Sequence, residues 1–333
     1  MTAPHRVLYL SFGTPELYRM IRDAARPGFE LLTLDAENEA ERLDKLARSD
    51  AVIVANTRFT AERIQAARQL KFVHHQGVGY QDTIDCAALA ETGLPLAITP
   101  GGTSVGVAEH TVLLILAVLK RLPFADAELR QGRFHINALR HVSYELAGKT
   151  VGLIGLGRIG RAVAARLKPF GVRLTYHDMD AAPAEVEADL GITRLPFPEL
   201  LAGADIVSIH TPLTAETRGL IDAAALARMK PGAFIVNTAR GGIIDEGALI
   251  EALREGRLAG AGLDVFETEP MPATHPLYAL PNVVLTPHIS AGTRDAFTTK
   301  MRFIFENLEA FFAGRPVQNL ITHAGMAAGS PRP

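Results

Sequence analysis

The stretch from Lys149 to Asp178 constrains this chain more than any other. Lys149-Thr150-Val151-Gly152-Leu153-Ile154 reads as a short buried strand and runs straight into Gly155-Leu156-Gly157-Arg158-Ile159-Gly160. Apolar residues then recur at helical spacing through Ala162, Val163, Leu167 and Phe170. A second strand, Val172 to His177, ends on Asp178, 18 residues after the last glycine. A Gly-x-Gly-x-x-Gly turn between strand and helix, with an acid at about that distance, is the arrangement that binds a dinucleotide. Gly155 allows the tight turn, Gly157 lets the backbone approach a pyrophosphate, and Gly160 lets the helix pack close to the strand. The helix start at Arg158 and Ile159 offers unpaired amides and the positive end of its dipole to the phosphates. Asp178 would accept hydrogen bonds from the adenosine ribose. A carboxylate there would repel a 2′-phosphate, and no Arg or Lys follows it in His177-Asp178-Met179-Asp180, so NAD is expected rather than NADP. The plainer alternative is a glycine-rich turn with a surface aspartate. The strand, the helix and the acid all fall where the first reading needs them.

At 333 residues the chain exceeds a typical single domain, and two domains are expected. A net charge of −2 gives no basic field for nucleic acid or an anionic membrane. The longest apolar stretch, Thr111 to Leu119, is too short to span a bilayer. Met1 to Arg6 lead directly into the strand Val7–Leu10 without a signal-peptide pattern. Cys86 is the single cysteine and suits a reducing compartment, so a cytoplasmic protein is expected.

The first hundred residues alternate strand and helix: strands at Val7–Leu10, Ala51–Ala55, Lys71–His75 and Leu96–Ile98, helices at Pro15–Ala24, Asn38–Ala47, Ala61–Leu70 and Asp82–Glu91. This predicts a small parallel sheet with no second dinucleotide turn. Asn56 and the run Gln76-Gly77-Val78-Gly79 both follow strands, where doubly wound sheets collect ligands. The glycines permit a loop whose amides point at an anion, the alternative being a plain turn. An apolar helix, about Ser104 to Leu122, follows the break at Thr99-Pro100-Gly101-Gly102. Phe124 to Tyr144 is polar and basic, either an arm around a partner subunit or a solvated excursion. Beyond Asp178, helices are expected at Pro183–Leu190, Pro198–Leu201, Asp222–Arg228 and Glu246–Glu255, the last capped by Asp245, and at Arg294–Phe312. Strands Asp205–Ile209, Ala233–Asn237, Gly260–Leu263 and Asn282–Leu285 end in His210-Thr211-Pro212, Thr238-Ala239-Arg240-Gly241-Gly242, Asp264 to Glu269, and Thr286-Pro287-His288. The tail from Thr322 is Gly/Ala/Pro/Ser-rich and reads as disordered. Parallel strands of one sheet put these ends on one edge, which groups Arg240, Glu269 and His288 beside the glycine turn.

These runs, together with Val107-Ala108-Glu109-His110 and Gly262-Leu263-Asp264-Val265-Phe266-Glu267, make the sequence resemble the D-isomer-specific 2-hydroxyacid dehydrogenases over nearly its whole length. The resemblance implies two doubly wound α/β domains. One is a Rossmann NAD-binding domain over about 101–290, and the other is a smaller, flavodoxin-like substrate domain from 1–100 plus 291–333. It implies a catalytic set of Arg240, Glu269 and His288. Reduction of a 2-keto acid needs a grip on the carboxylate, which a guanidinium supplies bidentately. It also needs a proton for the carbonyl oxygen, which an imidazole can give and take back. Glu269 would fix the ring of His288; Glu267 competes for that role, and the family's spacing from Arg240 favours Glu269. Asn56, Gln76 and the amides of Val78 and Gly79 would hold the substrate. His210, Thr211, Pro212, Thr238, Ala239 and Asp264 would line the cofactor, Asp264 at its carboxamide or ribose.

Within the family, formate enzymes replace the acidic partner with an amide, and Glu269 stands here. Phosphite enzymes carry a lysine where Gln76 stands and an arginine where Phe297 stands. Phosphoglycerate enzymes usually add a regulatory C-terminal domain and place basic residues near Val54–Asn56, where this chain has only Arg58. A small unphosphorylated acid such as glyoxylate, hydroxypyruvate or pyruvate is therefore expected, with D stereochemistry, no metal and a homodimer. The alternative on the same fold is a dinucleotide-sensing, corepressor-like interaction protein.

Overall fold

Apolar runs bounded by capping residues give this chain alternating strands and helices, and in the computed structural model they gather into two compact units, Met1–Thr103 with Arg294–Pro333 and Ser104–Thr293. The structure describes residues 3–322, so the expectation for the tail falls outside the described residues. No helix among them is long and apolar enough to cross a membrane.

The first unit contains β1 (His5–Tyr9), α1 (Pro15–Ala24), β2 (Phe29–Leu32), α2 (Glu39–Ala47), β3 (Ala51–Val54), α3 (Ala61–Ala66), β4 (Phe72–His75), α4 (Cys86–Thr92) and β5 (Leu96–Ile98). The second contains α5 (Ser104–Lys120), α6 (Leu122–Arg130), β6 (Thr150–Ile154), α7 (Arg158–Leu167), β7 (Arg173–His177), α8 (Ala184–Leu190), β8 (Ile192–Arg194) and α9 (Phe197–Gly203). It continues with β9 (Ile206–Ile209), α10 (Ala223–Arg228), β10 (Ala233–Asn237), α11 (Glu246–Arg254), β11 (Leu258–Leu263) and β12 (Val283–Leu285). The chain then returns to the first unit with α12 (Arg294–Phe312) and β13 (Leu320–Ile321).

The first sheet has the order β13-β5-β4-β3-β1-β2, parallel except for β13, which pairs antiparallel to β5. The second has the order β12-β11-β10-β9-β6-β7-β8 and is parallel throughout. Its order reverses between β6 and β9, and ligands bind outside the carboxyl ends of strands at such a switch point. Strands covered on both faces carry unbroken apolar runs: Val151 and Leu153 of β6 pack with Val163 and Leu167 of α7, while a Cβ on Gly152 would lie 2.7 Å from Leu200 on the opposite face.

Two expectations need correction. The helix expected over Asp82–Glu91 starts at Cys86 instead, because the carboxylate of Asp85 caps it by accepting from the Ala88 amide at 3.0 Å. The helix expected to reach Leu122 stops at Lys120, because Arg121 takes a left-handed conformation, φ 53°, and Pro123 opens the separate helix α6. The short edge strands β2, β8 and β13 carried too few residues to show a period.

Candidate active site

The glycine turn leaves β6 with Gly155 at φ 96°. A Cβ there would lie 2.8 Å from the carbonyl carbon of His210, and one on Gly160 would lie 2.3 Å from the Gly155 oxygen. The chain itself therefore demands both glycines. At Gly157 a Cβ would meet nothing within 4 Å. Among the described residues nothing excludes a side chain there, and none caps the start of α7. An open approach to uncapped helix amides fits a phosphate group. The structure gives Asp178 a contact that the sequence did not reveal: its Oδ2 accepts the Leu156 amide at 2.7 Å and ties the end of β7 to the turn. A cation also arrives beside it. Arg194 of β8 donates through Nη2 to the carbonyls of Asp178 at 2.9 Å and Met179 at 2.8 Å.

His210 follows β9. Its Nε2 lies 2.9 Å from the Ser208 hydroxyl, and its Nδ1 is buried without a protein partner. Burial pushes its pKa down to about 3. The Thr211 amide lies against Gly155, and the Pro212 carbonyl accepts from Thr217 at 2.6 Å. These residues close the turn from the β9 side.

The loops after β10, β11 and β12 carry the three candidate catalytic side chains. Asn237, the last residue of β10, holds the first loop with both ends of its amide: Oδ1 accepts from Ala239 N–H at 2.9 Å, and Nδ2 donates to the Arg240 carbonyl at 2.9 Å. Arg240 Nη1 donates back to the Ala239 carbonyl at 2.7 Å. In the second loop, Glu269 accepts the Phe266 amide on Oε1 at 2.9 Å and meets His288 Nδ1 on Oε2 at 2.7 Å. Glu267 makes no such contact; its amide points at Glu246. Burial raises the Glu269 pKa, but the bonds from His288 and Phe266 and the nearby charges of His288 and Arg240 outweigh it and hold the carboxyl below its ordinary value.

His288 sits at φ 53°, a conformation in which a side chain other than glycine's is strained. It is held there by its own amide, which donates to the Asp264 carbonyl at 2.7 Å and to the Thr286 carbonyl at 3.0 Å. Because Nδ1 faces a carboxylate it carries a proton, which leaves Nε2 as the nitrogen able to exchange one. Asp264 is fully buried. Its Oδ1 accepts from Thr286 Oγ1 at 2.5 Å and from Ile289 N–H at 2.9 Å, and its Oδ2 accepts from Ser290 N–H at 2.9 Å. The carboxylate of this residue, for which a cofactor contact is expected, organises the His288 loop. Thr238 is buried against α5, with its hydroxyl 2.9 Å from that of Thr111.

In the first unit, the expected substrate contacts follow β3 and β4. Ser11 donates to Asn56 Oδ1 at 2.8 Å, and Tyr9 donates to Gln76 Oε1 at 3.1 Å. The Gly77 amide donates to His75 Nδ1 at 3.0 Å, and the Gly77 carbonyl accepts from Thr99 N–H at 3.1 Å. These bonds fix the loop at Gly77, just before Val78, which is 39% exposed. Among the described residues the amides of Val78 and Gly79 have no acceptor. Sequence reasoning missed His75 beneath this loop and Arg194, His110 and Thr286 in the second unit.

Residues 112–290 match the family model for the NAD-binding domain of D-isomer specific 2-hydroxyacid dehydrogenases. The chain is 40% identical over 263 residues to a glyoxylate reductase of Korarchaeum cryptofilum, covering 78% of this chain and 79% of that protein. It is 38% identical over 295 residues to a D-3-phosphoglycerate dehydrogenase of Archaeoglobus fulgidus, covering 88% of this chain and 55% of that protein. The chain thus spans about half the length of the phosphoglycerate dehydrogenases it matches. Apo D-lactate dehydrogenase from Escherichia coli superposes with a TM-score of 0.86 at 28% identity, over 96% of this chain and all of the other.

Proposed function

This chain belongs to the D-isomer-specific 2-hydroxyacid dehydrogenase family, and we propose that it transfers a hydride between NAD(H) and a small, unphosphorylated 2-keto or 2-hydroxy acid, with D stereochemistry. The observation that carries the proposal is the 2.7 Å pair of His288 Nδ1 and Glu269 Oε2, reached by a strained histidine and a carboxylate held ionised beside Arg240. The nicotinamide, when bound, supplies and accepts the hydride. Arg240 grips the substrate carboxylate and polarises the carbonyl. His288 Nε2 gives a proton to the carbonyl oxygen in reduction and takes it back in oxidation. Glu269 orients the ring and balances its charge. Gly155, Gly157, Arg158, Ile159 and Gly160 receive the pyrophosphate, Asp178 the ribose, and His210, Thr211, Pro212, Thr238 and Ala239 flank the cofactor. Asn56, Gln76, Val78 and Gly79 contact the acid, the two last through their amides.

Glyoxylate, hydroxypyruvate and pyruvate are the proposed substrate class, because Arg58 is the one cation close in sequence to Asn56. The protein is read as a cytoplasmic homodimer. Leu129, Phe134 and Ile136 are exposed by 56%, 75% and 73%, an apolar surface on the 124–144 segment that suits a second copy. Deleting that segment should give monomers in sedimentation, and unchanged dimers would refute the arm. The direct test of function is NADH absorbance with a panel of 2-keto acids, including a phosphorylated one. Turnover of an unphosphorylated acid is expected; tight NADH binding without turnover of any acid would end the reading.

A further inference from the structure

Two consecutive residues of α5, His110 and Thr111, each bond to a different catalytic loop. Hydrogen bookkeeping fixes the direction of both bonds. The one proton of the Thr286 hydroxyl goes to the Asp264 carboxylate at 2.5 Å, so the 2.9 Å contact between Thr286 Oγ1 and His110 Nε2 requires His110 to donate. Asp264 in turn accepts the amides of Ile289 and Ser290, and its carbonyl accepts that of His288. On the next residue, the Thr111 hydroxyl donates to the Val107 carbonyl at 2.8 Å. Thr238 must then be the donor in its 2.9 Å bond to Thr111. Thr238 opens the loop that ends on Arg240. The helix lies close on the sheet: a Cβ on Gly262 of β11 would sit 3.0 Å from Leu114, and one on Gly260 would sit 2.8 Å from Val118.

We infer that His110 and Thr111 are positioning residues that set the spacing of Arg240 and His288, the first through Thr286 and Asp264, the second through Thr238. The inference rests on the reading of Arg240 and His288 as the reacting pair. A displacement of about 1 Å between reacting groups can cost on the order of 100-fold in rate. The two residues touch neither of the proposed reacting side chains directly, so their effect runs through loop geometry.

The test compares Thr286→Val, which keeps shape and loses the hydroxyl, with Thr286→Ser, which keeps the hydroxyl. Three quantities are read: NADH affinity by fluorescence, kcat and KM for the best keto acid, and hydrogen exchange at the amides of Ile289 and Ser290. Thr286→Val should lower kcat about 10- to 100-fold, hold NADH affinity within about twofold, and speed exchange at both amides. Thr286→Ser should restore kcat and exchange to within about threefold of the parent. Thr111→Val should raise KM as well as lower kcat, since Arg240 holds the carboxylate and polarises the carbonyl; parent-like KM and kcat in it would overturn the part assigned to Thr111. Should Thr286→Val not fold, His110→Phe removes the donor while keeping a ring, and the same amides report. Parent-like kcat and exchange in Thr286→Val, or equal damage in the serine variant, would overturn the inference. If the parent protein reduces no keto acid, the functional reading fails, while the exchange pattern still decides whether His110 and Thr286 brace the loop.

Discussion

Gly241 leaves no room for a side chain against Phe266: a Cβ on it would lie 1.9 Å from the Phe266 carbonyl carbon. The loop that carries Arg240 is thus pressed against the residue whose amide holds Glu269. Gly241→Ala must push the two loops apart. Overpacking of this kind costs about 1–3 kcal/mol, occasionally more, and the displaced loops should lower kcat/KM by about 100-fold. Thermal unfolding and steady-state kinetics measure both effects. An alanine variant with parent-like kinetics would mean that this contact does not set the site.

His288 can be dissected into backbone and side-chain effects. His288→Asn should abolish turnover while NADH affinity, followed by fluorescence, stays within about twofold; loss of both would mark the histidine as structural. At φ 53° glycine is unstrained and alanine is not. His288→Gly should therefore be more stable than His288→Ala by about 1 kcal/mol, the reverse of the order expected in ordinary backbone. Urea midpoints decide it.

Asp178 combines a charge with a hydrogen-bond acceptor, and asparagine separates them. Asp178→Asn can still accept the Leu156 amide now held at 2.7 Å, and it removes the charge that repels a 2′-phosphate. Arg194 already stands against the Asp178 carbonyl. The variant should bind NADPH at least about tenfold tighter than the parent does, since one charge contact at about 4 Å is worth about 1 kcal/mol in water and more near a protein surface, with smaller change for NADH. Equal NADPH affinity in the two proteins would show that the carboxylate does not select the cofactor.

The cofactor turn was legible because its parts are local: strand, glycines, helix and acid lie within one 30-residue run. Long periodic elements such as α12, Arg294–Phe312, were legible for the same reason. The grouping of Arg240, Glu269 and His288 followed from parallel strand ends together with a family resemblance. What braces them was not legible. His110 meets Thr286 across 176 residues, and Asp264 meets Ser290 across 26, so no spacing pattern announces either pair. Arg194 was not legible because the cation beside Asp178 does not follow it in sequence but arrives from the neighbouring strand β8, 16 residues on. Edge strands of two to four residues, such as β13 and β2, give no period to read.

Glu269 predicts a pH effect of definite sign. Its carboxyl is held below the ordinary value of 4.5 in the folded protein, against the upward push of burial. A depressed folded pKa adds stability above the unfolded value, and that stability is lost as pH falls through the folded one. Glu269→Gln lacks the contribution at every pH. The stability gap between parent and variant should therefore be largest near neutrality and shrink as the pH is lowered below about 4.5. Urea unfolding at several pH values measures the gap, and a constant gap would mean that His288 and Arg240 do not hold the carboxylate.

Two histidines act in the same sense and over a higher range. Burial pushes both His74 and His210 down to about 3 from the ordinary 6.5. For His74 the hydrogen bonds agree. Asn307 accepts the Gln318 amide on Oδ1, so its Nδ2 is the donor toward His74 Nε2 at 3.0 Å, and the ring must be neutral to accept. In the unfolded chain both rings take up a proton below about 6.5. Folded stability should thus be unaffected by them at higher pH and fall as pH drops from about 6.5 toward 3, with a limiting slope of about 2.7 kcal/mol per pH unit for two protons. His74→Gln and His210→Gln should each remove about half of that slope. A parent protein whose urea midpoint is flat between pH 6.5 and 5 would show that these rings are already charged in the fold, or reach water there.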